Sequence, residues 1–191
     1  MAAAGLILLA GPALADTDFV LELNPFSFVH SPDVDEFIAT DLVVMEKIDG
    51  SASLYPGLKL GVGFEAERII IDLLANAGYL WNDAFSAKSV GADVFLRFKL
   101  DRRGIFTLGP HLGIVRFDPE WDAESDIALK DETGWLAGLG LTVGTSRVAF
   151  SAAVDYLSAD FEVVPGPGWY TSSRLLDISG LYLQLGVQFR F

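Results

Sequence analysis

The sequence predicts an all-β fold: an eight-stranded antiparallel up-and-down barrel that crosses a membrane. Three observations carry this. The last stretch places Leu181, Leu183, Leu185, Val187, Phe189 and Phe191 at every second position, with Tyr182, Gln184, Gly186, Gln188 and Arg190 between them. A period of two is a strand with one apolar and one polar face, and about ten such residues make a tilted crossing of a bilayer. Apolar residues are 51% of the chain, yet no run of them is long enough for a membrane helix. Finally, tight turns alternate with long connections along the chain, the asymmetry of a barrel whose two ends face different compartments.

At 191 residues the chain is one domain. It has no cysteine, so neither a disulfide framework nor a thiolate metal site is available. A net charge of −13 excludes a nucleic-acid partner, because phosphates need a basic face. Residues 1–15 read as a secretory signal, with an apolar core over Leu6–Ala10 and Ala13-Leu14-Ala15 as a small-x-small cleavage site before Asp16. No Lys or Arg precedes Lys47. The positive segment is therefore missing, and either the start lies upstream of Met1 or the terminus is an apolar mature one. The barrel is then residues 16–191.

The first strand runs from Phe19 to Val29, where Phe19, Leu21 and Leu23 alternate with Val20, Glu22 and Asn24 until Pro25 interrupts the ladder at an edge or bulge. Ser31 to Ser51 is a long acidic loop, within which Phe37–Met45 suits a short helix or strand extension. From Leu54 to Glu65 the second strand sets Leu58, Leu60, Val62 and Phe64 against Lys59, Gly61, Gly63 and Glu65. A tight turn near Ala66 leads to the third, Arg68–Trp81, and a connection over Asn82–Ala87 to the fourth, Val90–Leu100. Asp101-Arg102-Arg103-Gly104 is a hairpin turn, with glycine where a positive φ is needed.

The fifth strand, Phe106–Val115, enters a second long acidic loop over Phe117–Glu132. The sixth and seventh, Trp135–Val143 and Val148–Leu157, flank a tight turn at Gly144–Arg147. A loop through Pro165-Gly166-Pro167-Gly168 leads to the closing strand from about Leu175. Tight turns near Ala66, Arg102 and Ser146 lie at one end, which an even strand count shares with both termini; that end is periplasmic.

Of the two alternating sets, one is almost purely aliphatic and aromatic. The other holds Glu22, Lys59, Asp72, Asn76, Asp93, Arg97, Lys99, His111, Asp155, Gln184, Gln188 and Arg190 among glycines. A barrel of eight strands has an interior just wide enough for its own side chains, so small residues make room for large polar ones and charges of both signs pair. The polar set is therefore the lumen and the apolar set faces lipid; a soluble ligand-carrying barrel reverses this. Aromatics sort in agreement: Trp81, Trp121, Trp135, Trp169, Tyr55, Tyr79, Tyr156 and Tyr170 near the long-loop ends, Phe19, Phe64, Phe98, Phe106, Phe189 and Phe191 near the tight turns.

With these residues in place, the chain after the signal resembles the small eight-stranded outer-membrane proteins of the OmpA/OmpX type. Its Leu185-x-Val187-x-Phe189-x-Phe191 ending is similar to the carboxy-terminal signal such proteins present to the barrel-assembly machinery. The resemblance covers architecture and last strand and implies a monomer in the outer membrane of a Gram-negative bacterium, reached through the periplasm. It also implies the lipid bilayer and lipopolysaccharide as partners, and no cofactor.

Few residues suggest chemistry. His111 faces the lumen near Asp93 or Asp155, with no serine at a triad spacing, so it reads as part of the interior network. His30-Ser31 with Asp33 lies at the outer rim, where a lipid-modifying barrel enzyme could work; such enzymes' His-x-Ser order is not matched. Asp118, Glu120, Asp122, Glu124 and Asp126 alternate and would line one face if extended, weak candidates for a divalent cation that bridges to lipopolysaccharide phosphates. They lack the glycine turn and bidentate glutamate of an EF-hand and read first as a solvated acidic loop. The expected role is non-catalytic: envelope integrity, adhesion or loop display. A narrow porin is the alternative and a lipid-modifying enzyme the second.

Overall fold

The computed structural model describes residues 16–191 except 42 and 49, and the backbone alone of 35. The proposed signal, 1–15, lies outside the described residues. Eight strands close into a barrel: β1 (Asp16–His30), β2 (Gly57–Glu65), β3 (Ile69–Trp81), β4 (Phe85–Lys99), β5 (Phe106–Trp121), β6 (Glu132–Gly144), β7 (Val148–Ser158) and β8 (Gly180–Arg190). Each pairs antiparallel with its neighbours in sequence, and β8 returns to β1 through Val20↔Arg190 to His30↔Leu181. Beyond the last strand residue, Phe191 exchanges two backbone hydrogen bonds with Phe19, at 3.0 and 3.1 Å. Closure removes the free sheet edge, so every strand can be satisfied inside a bilayer.

Pro25 has a defined effect. The register with β8 shifts between Leu23 and Phe26, so Asn24 and Pro25 form a bulge. Val20, Glu22 and Asn24 point inward before it, and Ser27 and Val29 after it. A proline, with no N–H to donate, thus sits where the ladder is already interrupted. Gly104 adopts φ +68°, in the left-handed region that its turn requires.

Three tight turns join β2–β3, β4–β5 and β6–β7 at one end, while the other end carries the long connections that follow β1, β5 and β7. The expected connection over Asn82–Ala87 is shorter: only residues 82–84 separate β3 from β4. The loop expected over Phe117–Glu132 begins later, because β5 continues to Trp121. The first outer loop holds a hairpin, Ile38–Thr40 with Met45–Lys47, joined by Tyr170–Thr171 of the last loop. In the third and fourth loops Asp160–Pro165 pairs with Ile127–Leu129 and with Leu175–Asp177. The strand placed from Leu175 is therefore two elements, and β8 starts at Gly180.

The outward faces form an apolar belt. Leu60, Val62, Val94, Phe98, Leu108, Leu112, Leu139, Leu141, Phe150, Val154 and Leu185 are all exposed on it. Tyr79, Trp81, Trp135 and Tyr156 rim its outer edge, and Phe19, Phe98, Phe106, Phe150 and Phe191 lie toward the tight turns. Of the other aromatics assigned to the outer girdle, Tyr170 is exposed on the loop sheet opposite Thr40, and three more are elsewhere. Tyr55 is buried inside the barrel. Trp121 packs on Phe37, ring centroids 5.7 Å apart, and Trp169 packs on the interior cluster. Trp121 and Trp169 lie above the belt among the outer loops, whereas Tyr55 lies at belt height, one residue below the outward Leu54, and turns its ring into the barrel.

That height marks a reversal. In β5, Leu112 and Ile114 point out and His111 points in; three residues on, Arg116, Asp118 and Glu120 point out while Val115, Phe117 and Pro119 point in. The strands rise out of the bilayer there. Above it the pattern is that of a water-soluble barrel, with an apolar inside.

Candidate functional site in the lumen and at the outer mouth

The lumen has a polar half and an apolar half. In the polar half Arg97 lies toward the tight turns, one layer in from Arg190 at the end of β8. Arg97 Nη1 donates to Gln188 Oε1 at 2.9 Å and lies 3.3 Å from Asp72, and its Nη2 is 3.5 Å from Glu22. Gln188 Nε2 donates to Glu22 at 3.0 Å, and Arg190 Nη2 reaches both oxygens of Asp72. One layer higher, Lys59 pairs with Asp93 at 2.9 Å, and Asn76 Nδ2 donates to the same carboxylate. His111 Nδ1 meets Asp155 at 2.9 Å, its Nε2 lies 3.6 Å from Asp93, and Gln184 Nε2 donates to Asp155 at 2.6 Å.

Phe95 joins the layers. Its ring stacks on His111 with centroids 3.7 Å apart and planes within 8°, and Arg97 and Lys59 lie 4.5 and 4.9 Å from its centroid. Cations over a buried ring gain roughly 2 kcal/mol where water is excluded. The residue types explain the arrangement: inward positions of neighbouring strands alternate in charge, so each carboxylate finds a cation or amide across the tube. Four carboxylates (Glu22, Asp72, Asp93, Asp155) face three permanent cations (Lys59, Arg97, Arg190) and His111.

Eleven of the twelve polar residues assigned to the lumen from sequence meet here: Glu22, Lys59, Asp72, Asn76, Asp93, Arg97, His111, Asp155, Gln184, Gln188 and Arg190. Lys99 does not. It lies at the tight-turn rim, bonded to Glu65 at 2.6 Å and to the Ala66 carbonyl at 2.9 Å. Asn24 and Phe95 belong to the interior too, and both stand on the inward parity, which is the signal that could have included them.

Tyr55 and Tyr182, ring centroids 4.9 Å apart, form the boundary between the halves. The Tyr55 hydroxyl donates to Ser89 Oγ. Beneath them a cavity of about 20 Å³ lined by Asn24, Lys59, Asn76, Asp93 and Gln184 has room for a single water. Above them the tube fills with Leu80, Phe85, Val115, Phe117, Leu136, Leu157 and Phe161, and the outer loops add Val34, Phe37, Ile48, Leu176 and Ile178. The sequence reading of a wholly polar interior is corrected: the polar packing stops at Tyr55, because the loops supply a hydrophobic plug above the bilayer.

At the outer mouth, His30 and Ser31 do not form a pair. Ser31 points inward and donates to the Ile178 carbonyl at 2.6 Å, whereas His30 points out and its Nδ1 contacts Ser51 Oγ at 3.0 Å. No carboxylate partners His30 among the described residues, and Asp33 is exposed. A nucleophile–base–orienter set is not assembled.

The five alternating carboxylates also separate. Asp118 and Glu120 lie on the outer face of β5, with Glu120 paired to Lys88 at 3.1 Å; the chain bends after Trp121, leaving Asp122, Glu124 and Asp126 exposed on the loop. Among the described residues no group of three or more potential ligands converges on a metal position. On the same loop system, Asp41 accepts from the Val44 and Val43 amides, which hold its carboxyl below the usual range.

No family model and no curated protein matches this sequence. Solved structures do. The outer membrane protein OprG of Pseudomonas aeruginosa superposes with a TM-score of 0.56 at 16% identity, covering 91% of this chain and 95% of that one. The N-terminal β-barrel domain of Pseudomonas aeruginosa OprF gives 0.52 at 12% identity, over 91% and 97% of the two chains. Neisserial surface protein A gives 0.52 at 14% identity, over 92% and 99%. This chain has the fold of the small eight-stranded outer-membrane β-barrels.

Proposed function

We propose that this chain is an integral outer-membrane barrel with a non-catalytic role in envelope integrity or surface interaction. Its lumen is a closed structural core, and its outer loops are the working surface. The observation that carries the reading is the filled cross-section: Arg97, Phe95 and His111, each at most 1% exposed, stack one above another inside the ion-pair layers, and the plug of Phe85, Phe117 and Phe161 lies over them. A water path through these layers would require buried ion pairs to separate, at several kcal/mol each.

The outer surface supports the interaction half. Almost the whole net charge of −13 lies on the outer loops and strand tips, where the basic residues are Lys47, Lys88, Arg116, Lys130 and Arg174. Such a surface suits cationic partners, or divalent ions that bridge it to lipopolysaccharide phosphates. The ending Leu185, Val187, Phe189 and Phe191 is assigned to recognition by the barrel-assembly machinery.

Single-channel recording in planar bilayers tests the reading. A folded protein that gives no stable open state is the expected result. A stable conductance would replace the closed core with a narrow channel.

A further inference from the structure

The two ends of the barrel differ in how their cations are used. At the outer end Lys88, Arg116 and Lys130 are paired with Glu120, Asp131 and Glu162, at 3.1, 2.9 and 2.7 Å. Lys47 and Arg174 there make no ion pair among the described residues and do not line a common recess. At the tight-turn end Arg68, Arg102, Arg103 and Arg147 have no ion-pair partner among the described residues. Two of these four converge. Arg68, on the β2–β3 turn, and Arg102, on the β4–β5 turn, line one recess of about 600 Å³ with Glu67, Lys99, Leu100 and Asp101.

The other charges in that recess are mostly committed. Lys99 is held by Glu65. Asp101 accepts from the backbone amides of Phe106 and Arg103, both at 2.9 Å, and these bonds hold its carboxyl below the usual range. Glu67 is exposed and makes no ion pair among the described residues. With Lys99 neutralised by Glu65, the two guanidinium groups face two charged carboxylates, Glu67 and Asp101, and Asp101 has its oxygens turned to backbone amides.

The recess opens at the edge of the apolar belt. Leu100, its sixth lining residue, is 62% exposed, and Ile69, Phe98, Ile105 and Phe106 beside it are exposed on the outer wall. A guanidinium pair directly below a hydrocarbon-facing wall matches an amphiphile with an anionic head and acyl tails. Tight turns of membrane barrels face the periplasm.

We propose that this recess binds an anionic glycerophospholipid of the inner leaflet, its headgroup held by Arg68 and Arg102 and its chains lying over Leu100, Phe98 and Phe106. The inference rests on the membrane reading above. Guanidinium groups suit the task because they stay charged and present several donors to phosphate oxygens.

The test measures lipid binding to the detergent-folded protein by native mass spectrometry. The probes are dioleoyl phosphatidylglycerol and, with the same chains and no net charge, dioleoyl phosphatidylcholine. Two surface cations supply enough attraction for about a 30-fold difference in affinity. Phosphatidylglycerol should bind the wild type about that much more tightly than it binds Arg68→Gln/Arg102→Gln, and Arg174→Gln at the outer end should bind like the wild type. Should the double variant fail to fold, Arg102→Gln alone, on an exposed turn, should show a several-fold loss. Equal affinity for the two lipids, an unchanged variant, or displacement by excess inorganic phosphate alone overturns the proposal. Heat-modifiable migration of each sample reports separately on the barrel. A folded barrel without lipid discrimination removes this site and leaves the membrane reading standing.

Discussion

Arg190, the last residue of β8, donates through Nη2 to both carboxylate oxygens of Asp72 on β3, at 2.6 and 2.8 Å, across the width of the lumen. The strand that closes the barrel is thereby tied to its far wall. Removing Arg190 leaves the buried Asp72 with Arg97 alone, 3.3 Å away, which costs about 2–3 kcal/mol, short of the roughly 3–5 kcal/mol of a fully unpaired buried charge. Arg190→Met should lower stability by that smaller amount. The double variant Arg190→Met/Asp72→Asn should recover part of it, because the under-paired charge is then gone. Urea unfolding in lipid vesicles, followed by tryptophan fluorescence, measures both.

Gly63 shows why the lumen needs glycine. A Cβ there would stand 2.6 Å from Arg190 Nη1 and 2.7 Å from Asp72 Oδ1, inside the ion pair. Gly63→Ala should cost about 1–3 kcal/mol as the pair is pushed aside. The same substitution in the Arg190→Met/Asp72→Asn background should cost less, since the crowded groups are gone. A cycle of the four proteins in the same urea assay tests this, and full additivity would count against it.

Phe161, fully buried in the plug, packs edge-on against Phe85 and Phe117 at 6.0 and 5.7 Å. It belongs to the outer loop strand Asp160–Pro165 and has no role in closing the barrel. Phe161→Ala should therefore loosen the loops by about 3–5 kcal/mol while heat-modifiable migration persists. Limited proteolysis should cut the variant between residues 159 and 179 much faster than the wild type. Equal cutting rates would mean that the plug does not hold the loops.

How much of this was legible depends on height along the tube. Within the bilayer the alternation of β8 separates Leu185 from Gln184 and Gln188 without help, because hydrocarbon on one side and a tube only one or two side chains wide on the other leave no choice. The bulge was legible from Pro25, which cannot donate to a ladder. What misled was the stretch after Val115. Periodicity assigns residues to faces, but which face is apolar depends on the medium, and β5 changes medium between Ile114 and Arg116. The alternating carboxylates at Asp118 and Glu120 thus read as a loop although Phe117 and Pro119 continue the strand inward. Nor could Lys99 be separated from Arg97 by parity; only its position at the last strand residue places it on the rim beside Glu65. The plug was the least accessible feature, since Ile48, Phe161 and Ile178 come from loops far apart in sequence.

Asp160 and Asp177 stand directly opposite each other in the outer loop sheet. Partial burial, and then the neighbouring Asp177, push the Asp160 carboxyl above its usual value. A carboxyl raised in the folded state stabilises below its unfolded value, and that contribution is lost as pH rises through the folded one. The loop sheet should therefore tighten on mild acidification and be strained at neutral pH by two facing carboxylates. Asp177→Asn should remove the strain: amide exchange over residues 160–165 should slow at neutral pH, and the wild-type difference between neutral and mildly acidic conditions should shrink. An Asp177→Asn protein that exchanges faster than wild type at neutral pH would show that the two carboxyls share a bond worth more than their repulsion.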